Sequence, residues 1–230
     1  MNKLEEFFEN KPKRFQLHKL MHYFEIYDRH FSKYVDKQPS ILEVGVDYGG
    51  SVEMWDDYFG EGCKIYGVDL SERSKEIEKY MPNVKITLGD QGSVDFWDEY
   101  KKQTPKFDII IDDGGHRMEQ QITTFECMYD HIKDDGVYLC EDLHTSYFPK
   151  YGGGFKKPST FIEYSKNFID YINVWWWDHN GSKETNPSDF EFRKKTNSIH
   201  FYDSVVVLEK RFCEEEPTGR RAKYPQRPLL

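Results

Sequence analysis

The chain has 230 residues, which is enough for one large domain with a buried core. Its formal net charge of −9 argues against a nucleic-acid backbone as the main ligand, because phosphate binding needs a basic surface. No apolar run approaches the length of a membrane-spanning helix, and no secretory signal precedes the four scattered cysteines. We therefore expect a cytoplasmic protein with no nucleic acid and no membrane as a partner.

The first part of the chain, residues 1–37, is predicted to be a helical lead-in to the domain that follows. Between Leu17 and Tyr34 the apolar residues recur at the spacing of one helix face. The members of this stripe are Leu20, Tyr23, Phe24, Tyr27 and Phe31. His22, Tyr23 and Tyr27 could face a ligand, but we favour a packing or surface role, since aromatic residues at helical spacing more often belong to a core.

A glycine-rich turn follows the first predicted strand. The strand covers residues 40–46, a helix is predicted from Val52 to Phe59, and the turn between them reads DYGGS. Glycines in such a turn let backbone N–H groups approach a ligand at the positive end of the following helix. The turn alone is a weak signal, because many α/β proteins have one.

Acidic and amide side chains follow the next two predicted strands, which are themselves followed by helices at 71–80 and 94–102. The strand KIYGV is followed by Asp69, which can accept hydrogen bonds from both ribose hydroxyls of an adenosine-type ligand. The strand VKITL leads to Asp90 and Gln91, where a side chain can contact an adenine edge. The spacing is not that of a dinucleotide fingerprint, because an aspartate stands where the second glycine belongs.

Two strand-like apolar runs, each followed by a pair of acidic residues, dominate the middle of the chain. The run III precedes Asp112 and Asp113, and the run VYLC precedes Glu141 and Asp142. The segment from Met118 to His131 between them has the length and spacing of a crossover helix. A strand, helix, strand unit of this kind gives a parallel pair whose carboxyl ends border one crevice. We expect all four acids to project into it.

These acids predict a metal site. Four carboxylates in one pocket repel each other unless a cation joins them. Mg²⁺ prefers carboxylate and water oxygens and usually leaves coordination positions for a substrate. The alternative, that the acids only cap strand ends in solvent, would suit a lone Asp-Asp pair. Two such pairs at matching strand ends, with His116 three residues after Asp113, favour the metal site.

The region after the second acid pair contains a glycine-rich segment, a predicted helix, a tryptophan run and a long polar stretch. Residues 150–157 contain three consecutive glycines and are predicted to form a mobile loop, followed by a helix at 159–171. Three adjacent tryptophans, 175–177, are interpreted as core or subunit contacts in preference to a platform for a sugar ring. The polar residues 178–198 are predicted to be a functional loop or unstructured.

The chain is predicted to close with a hairpin and a tail. Two short strands at 199–202 and 205–210 flank a turn, which is typical of a hairpin. The main domain is accordingly predicted to span residues 38–212. The tail, residues 213–230, is interpreted as unstructured or as an arm onto a neighbouring subunit. The second interpretation would make the protein a homo-oligomer.

Taken together, these motifs resemble the class I S-adenosylmethionine-dependent methyltransferases. More closely, they resemble the metal-dependent sugar O-methyltransferases of the macrocin and mycinamicin type, which include rhamnosyl O-methyltransferases. The resemblance extends over about Leu17 to Lys210. The motifs that carry it are HY with the later Tyr27, LEVGVDYGGSVEMW, IYGVDL, GDQG, IIIDDGGH, EDLHTSY and IHFYDSVVVLEK. The two acidic motifs with their spacing are its specific part.

The resemblance implies a fold and a set of site residues. The fold is a Rossmann-like α/β domain with a seven-stranded, mostly parallel sheet, a C-terminal antiparallel hairpin and helices on both faces. The residues implied around the methyl donor, S-adenosyl-L-methionine, are Glu43, Gly45, Tyr48, Gly49, Ser51, Asp69, Asp90, Gln91 and Asp112. Asp113, Glu141 and Asp142 are implied as Mg²⁺ ligands and His116 as the general base.

Three further points qualify what carries over. His144 and Tyr147 follow the second acid pair, and either touch the acceptor or orient the metal ligands from behind. The family's Asp-Asp-Gly-Ser-His is here Asp-Asp-Gly-Gly-His, which keeps the spacing from acid to histidine. The antibiotic-modifying relatives carry an additional N-terminal domain that this sequence does not show, so acceptor and quaternary structure stay open.

The implied activity is methyl transfer to a hydroxyl of a glycoside or polysaccharide, with rhamnose as one candidate sugar. A catechol-type methyltransferase is an alternative, although its base is a lysine where this chain has His116. A metal-dependent oxygenase or hydrolase is another, but a single histidine lacks the two-histidine triad of non-haem iron sites. A non-catalytic domain that binds S-adenosylmethionine is the third.

Overall fold

The computed structural model describes residues 1–178 and 187–214. Its centre is one seven-stranded sheet with the strand order β3-β2-β1-β4-β5-β7-β6. The strands are β1 Ser40–Val44, β2 Lys64–Asp69, β3 Val84–Leu88, β4 Phe107–Asp112, β5 Ile132–Cys140, β6 Thr196–Tyr202 and β7 Val205–Lys210. Strands β1 to β5 are parallel to each other, and β7 runs antiparallel to both β5 and β6. The predicted fold class is confirmed.

The helices connect and cover these strands. The α-helices are α1 Lys3–Asn10, α2 Tyr23–Phe31, α3 Gly50–Phe59, α4 Val94–Gln103, α5 Met118–Met128, α6 Phe161–Ile172, α7 Val174–Asp178 and α8 Pro187–Lys195. Short 3₁₀ segments lie at Ser32–Tyr34, Glu72–Lys79, Tyr129–His131, Leu143–Tyr147 and Pro149–Tyr151. No helix within the described ranges is long and apolar enough to cross a membrane.

The two faces of the sheet carry separate hydrophobic cores because successive side chains of a strand point to opposite faces. In β4, Ile109 and Ile111 belong to one core, together with residues of α1, α2 and α3. Ile110 belongs to the other core, where it joins Trp97 of α4 and Phe125 of α5. All five side chains are almost completely buried. The helices therefore hold the sheet from both sides and leave its carboxyl edge open.

Strand register decides which residues meet at that edge. Val44 of β1 pairs with Asp112 of β4, and Asp112 pairs with Cys140 of β5. Residues 113 and 141 therefore leave neighbouring strands at the same level. Backbone hydrogen bonds continue this register past the strand ends, from Asp113 N–H to the Val44 carbonyl (2.9 Å) and from Glu141 N–H to the Asp112 carbonyl (3.1 Å).

The lead-in departs from the prediction. A helix from Leu17 to Tyr34 is wrong for residues 17–22, because α2 begins at Tyr23. The backbone before Tyr23 packs against α3 instead of forming a helix. The amides of Arg14 and Phe15 donate to the Glu53 carboxylate of α3 (3.0 and 3.2 Å). These tertiary contacts override the local periodicity.

Within the predicted helical lead-in, no separate helix was assigned before Leu17, whereas α1 forms there and begins with a capping box between Asn2 and Glu5. Farther along, the segment predicted as a helix at 71–80 is a 3₁₀ segment.

The later part of the chain contains a closed glycine loop, a further helix and a tryptophan that packs on that helix. In the predicted loop 150–157, Gly153 and Gly154 donate backbone hydrogen bonds to Phe148 and Ser146, which closes the loop tightly. The long loop predicted at 178–198 is wrong for residues 187–195, which form α8. Trp175 packs on Phe190 of that helix with ring centroids 5.3 Å apart, whereas Trp176 is exposed. Residues 179–186 and most of the tail lie outside the described residues.

A histidine network joins α2 to the closing hairpin. The buried His30 contacts the Glu209 carboxylate through Nδ1 and the Tyr202 hydroxyl through Nε2, both at 2.9 Å. The His200 ring lies 4.6 Å from the His30 ring. Burial lowers the pKa of His30 below its ordinary value of 6.5, and the nearby His200 and Arg29 charges act in the same direction, against the pull of Glu209.

This network predicts acid sensitivity of the fold. As the pH falls below the ordinary histidine pKa of 6.5, the unfolded chain takes up a proton that folded His30 resists, so the free energy of unfolding falls. We expect urea midpoints to decline between about pH 7 and pH 5, and His30→Gln to flatten that decline. An unchanged slope in His30→Gln would remove His30 as its cause.

Candidate active site

A cavity of about 550 Å³ opens at the carboxyl edge of β1, β2 and β4. This is a typical size for a small-molecule site. The predicted site residues that line it are Gly45, Tyr48, Ser51, Asp69, Gln91, Asp113, His116, Glu141, Asp142 and His144. Glu43, Gly49, Asp90, Asp112 and Tyr147 are not part of its lining. Residues 16–20 of the lead-in cover one side of the cavity, which the sequence did not suggest.

The glycine turn brings backbone to the cavity wall. Gly45 has φ +86°, and a Cβ there would lie 2.0 Å from the carbonyl oxygen of Asp113. Only glycine fits this combination of left-handed backbone and close approach. Gly49 is also left-handed, at φ +89°, and directly precedes α3. The turn therefore lets the strand ends of β1 and β4 approach closely beside the start of α3.

Glu43 lies behind the turn. Its carboxylate is fully buried and accepts hydrogen bonds from Ser51 Oγ (2.8 Å) and Trp55 Nε1 (3.1 Å). Burial raises the pKa of Glu43 to about 7. Glu43 is predicted to contact the methyl donor. Because Glu43 does not line the cavity and Ser51 does, that contact would be made indirectly, by way of Ser51.

Asp69 and Tyr48 lie on the β2 side. The Asp69 carboxylate accepts backbone hydrogen bonds from Val46 and Asp47 through Oδ2 (2.8 and 2.9 Å) and from Ser71 through Oδ1 (2.7 Å). It thus shapes the turn, and Oδ1 keeps a further lone pair for a ligand hydroxyl. Tyr48 is exposed, and the Arg73 guanidinium lies 3.7 Å from its ring centroid.

Gln91, which lines the cavity, binds Asp112 behind it. Gln91 Nε2 donates to Asp112 Oδ1 (3.0 Å), and Gln91 Oε1 accepts from the Gly115 amide (2.7 Å). Burial raises the pKa of Asp112 to about 7. Asp90 caps its own turn by accepting from the Gly92 amide (2.8 Å). These contacts fix the loop that carries His116.

The predicted metal ligands meet, and they meet around a residue that the sequence analysis missed. Lys19 extends from the lead-in between two of them, with Nζ 2.5 Å from Asp113 Oδ2 and hydrogen-bonded to Glu141 Oε1. Burial alone would lower the pKa of Lys19, but the carboxylates of Asp113, Glu141 and Glu43 outweigh it and hold that pKa well above its usual value. A single lysine in a polar segment carries no periodic or motif signal that could have identified it.

Burial raises the pKa of both carboxyl groups, against the opposing effect of Lys19, and the charge of Asp113 raises the pKa of Glu141 further. The pKa of Glu141 rises to about 8, and that of Asp113 rises to about 6. Such shifts are typical of acids that share a buried space and lack enough positive charge. The arrangement favours an added cation.

Two tyrosines of α2 hold the second acid pair. Tyr23 OH donates to Asp142 Oδ1 (2.8 Å), and Tyr27 OH donates to Glu141 Oε2. Both tyrosines are also buried in the core, as expected from their spacing. The packing interpretation is thus correct but incomplete, because their hydroxyl groups orient the predicted metal ligands.

His116 and Asp142 face each other in left-handed backbone conformations. Their φ values are +56° and +57°, which non-glycine residues adopt rarely and mostly where function requires it. His116 Nε2 lies 3.6 Å from Asp142 Oδ2. Burial lowers the pKa of His116 despite the neighbouring carboxylates, so the imidazole is neutral near pH 7. Within the described structure, its buried Nδ1 has no hydrogen-bond partner.

This donor set fits a divalent cation. Ligand atoms of Asp113, His116 and Asp142 lie within 4.8 Å of one another, and Glu141 adds a further carboxylate beside Asp113. The Lys19 ammonium already stands in for a positive charge among them. Oxygen-rich sites of this kind suit Mg²⁺ better than the softer metals.

The two residues predicted near the acceptor lie at different depths. His144 lines the cavity, and its Nδ1 contacts Ser204 Oγ at 2.7 Å. That contact joins the second acid pair to the turn of the closing hairpin. Tyr147 is about half exposed and lies outside the cavity lining.

Comparison with known proteins relates this geometry to characterised enzymes. No family model matches the chain. Demethylmacrocin O-methyltransferase of Streptomyces fradiae is 30% identical over 194 residues, which are 80% of this chain and 47% of that protein. Mycinamicin VI 2''-O-methyltransferase of Micromonospora griseorubida is 31% identical, with the same coverage of both chains. The chain is homologous to these sugar O-methyltransferases.

Solved structures agree with this relationship. The structure of MycE methyltransferase from the mycinamycin biosynthetic pathway, in complex with Mg, SAH and mycinamycin VI, is 29% identical, with a TM-score of 0.73 over 88% of this chain and 53% of that one. An O-methyltransferase from Bacillus cereus in complex with SAH, 14% identical, has a TM-score of 0.52 over 90% of both chains and shares the fold alone. The chain spans about half the length of the macrocin-type relatives that it matches.

Proposed function

We propose that this chain transfers a methyl group from S-adenosyl-L-methionine to a sugar hydroxyl in a reaction that depends on Mg²⁺. The observation that carries the proposal is the meeting of Asp113, Glu141, Asp142 and His116 in one cavity beside the glycine turn. Homology supports it, since the relatives are named as O-methyltransferases and MycE has been crystallised with Mg and SAH.

The β1 and β2 ends form the proposed donor side. S-adenosyl-L-methionine supplies a methyl group on a positively charged sulfur. Ser51 would contact its methionine part, with Glu43 behind it, and Asp69 Oδ1 would accept from a ribose hydroxyl. Gly45 lets the β1 end lie directly against the Asp113 backbone, which brings the proposed donor side next to the proposed metal side.

The β4 and β5 ends form the proposed metal side. Asp113, Glu141 and Asp142 would hold Mg²⁺, which stabilises negative charge as it develops on a hydroxyl oxygen. Tyr23 and Tyr27 keep two of these carboxylates in fixed orientations. Preorganised groups of this kind need little rearrangement during the reaction.

His116 is the proposed general base. An alcohol holds its proton tightly at neutral pH, so its attack on a methyl group is helped by a group that accepts the proton as the bond forms. Nε2 faces the carboxylates, and the lowered pKa keeps the imidazole unprotonated and ready to accept. The loop that carries His116 is fixed from below by Gln91.

The proposed acceptor is a glycoside or polysaccharide, for which rhamnose is one candidate sugar. Two neighbouring hydroxyl groups of such an acceptor suit a site that combines a hard cation with a base. We place the reaction in the cytoplasm, where the methyl donor and Mg²⁺ are available.

Mass spectrometry of an acceptor panel tests this function. The protein is incubated with S-adenosyl-L-methionine, Mg²⁺ and rhamnosyl and other glycosides, with simple catechols in parallel. We expect a glycoside to gain one CH₂, and EDTA to stop the gain. Methylation of the catechols alone would transfer the proposal to a catechol-type enzyme. EDTA-resistant methylation would remove the metal, and no product on any acceptor would contradict transferase activity.

A further inference from the structure

A strap of irregular backbone, residues 11–22, crosses the glycine turn and delivers Lys19 to the predicted metal site. Its path is fixed at two places. The Glu53 carboxylate accepts the amides of Arg14 and Phe15, and a Cβ on Gly50 would lie only 2.2 Å from the Gln16 carbonyl oxygen. The strap is therefore packed directly on the start of α3.

The side chain of Lys19 is enclosed by groups that would also contact a metal ion. It is 3% exposed, and its Nζ binds Asp113 Oδ2 and Glu141 Oε1 together. The other oxygen of Glu141 is taken by Tyr27 OH, and the carboxyl group is 1% exposed. Both oxygens of this buried carboxylate therefore already have a donor, and of the two donors only the lysine carries a charge that would repel an incoming cation.

Building on the function proposed above, we propose that Lys19 is a tethered cation that competes with Mg²⁺ for Asp113 and Glu141. In the metal-free protein its ammonium neutralises part of the charge of the buried acids. When Mg²⁺ binds, the ammonium must leave, because two cations at one pair of carboxylates repel each other strongly in a buried site. The strap then loses its attachment to the strand ends.

This competition sets the affinity for the metal. If Lys19 occupies the site for about nine-tenths of the time, the apparent Kd for Mg²⁺ is about tenfold weaker than that of the open site. The lysine also stabilises the protein before the metal arrives, since buried carboxylates without a partner are strongly destabilising.

Calorimetric titration with MgCl₂, without donor or acceptor, tests the proposal in Lys19→Met. Lys13→Met, on the same strap but bound to the Lys11 carbonyl instead of an acid, is the matched control. We expect Lys19→Met to bind Mg²⁺ about tenfold more tightly than the wild type, and Lys13→Met to be unchanged. Metal-free Lys19→Met should also melt at a lower temperature, and Mg²⁺ should raise its Tm more than that of the wild type.

Hydrogen exchange of the wild-type protein gives a second test that needs no variant. Amides of residues 15–20 should exchange faster when Mg²⁺ is added, because the strap loses the ammonium contact. Unchanged or slower exchange in this segment, with Mg²⁺ bound, contradicts the proposal even if Lys19→Met does not fold.

The outcomes also separate this proposal from the proposed function. Equal or weaker Mg²⁺ binding by folded Lys19→Met overturns the competition and favours a cation on Asp113, His116 and Asp142 with the lysine kept in place. In that case metal-dependent methylation of a glycoside would still stand. If neither protein binds Mg²⁺, both proposals are wrong.

Discussion

Replacing His116 by alanine is expected to lower turnover by about 10² to 10⁴-fold, which is the usual contribution of general acid–base catalysis. The imidazole lines the cavity, and its ligand atom lies within 4.8 Å of those of Asp113 and Asp142. Its left-handed backbone holds Nε2 toward Asp142 at a cost in local strain. Removing the side chain should leave donor binding intact, because the donor side is formed by the β1 and β2 ends. Turnover with the accepted glycoside and SAH affinity by calorimetry are the two measurements.

His131→Ala is the matched control for this variant. His131 is also partly buried with a lowered pKa. It contacts Thr104 at the opposite edge of the sheet, where β4 and β5 begin, and it is not part of the cavity lining. We expect its turnover to stay within a factor of about two. If His116→Ala retained wild-type turnover, the general base would have to be another group. If both variants lost activity together, the effect would be structural.

Alanine at Gly45 is expected to destabilise the fold by about 3 kcal/mol or more and to abolish activity, since left-handed strain and overpacking add at this position. The new Cβ would lie 2.0 Å from the Asp113 carbonyl oxygen and 2.7 Å from the Gly114 Cα, and all of these neighbours are backbone. The Cβ can be accommodated only by a shift of the β1 end against the backbone of Asp113 and Gly114, which displaces a predicted metal ligand. Urea unfolding and Mg²⁺ titration should therefore change together.

Gly154→Ala provides the comparison within the same chain. A Cβ at Gly154 would meet only the Lys157 side chain, at 3.4 Å or more, so we expect a change of less than about 0.5 kcal/mol in the free energy of unfolding. A Gly45→Ala protein with wild-type stability would show that the two strand ends can separate at little cost. That result would contradict the close approach on which the site depends.

The predicted fold rested on signals that are local and redundant. Apolar runs, glycine turns and amphipathic spacing each constrain one element, and consistency among them left few topologies for an alternating α/β chain. The predicted hairpin strands at 199–202 and 205–210 differ from β6 and β7 only by a three-residue extension at the start of β6. The errors fell where tertiary contacts compete with local pattern, as at residues 17–22 and in α8.

The amino-acid sequence by itself determined which acids and which histidine lie at the carboxyl edge, because residues 112–116 and 141–142 directly follow strands whose parallel pairing is dictated by the crossover helix. The tertiary structure alone decided what surrounds them. Lys19 is separated by 94 residues from Asp113 and by 122 from Glu141, and Tyr23 is 119 residues from Asp142. Contacts over such distances depend on how the lead-in packs across α3, and no spacing within the sequence encodes that packing.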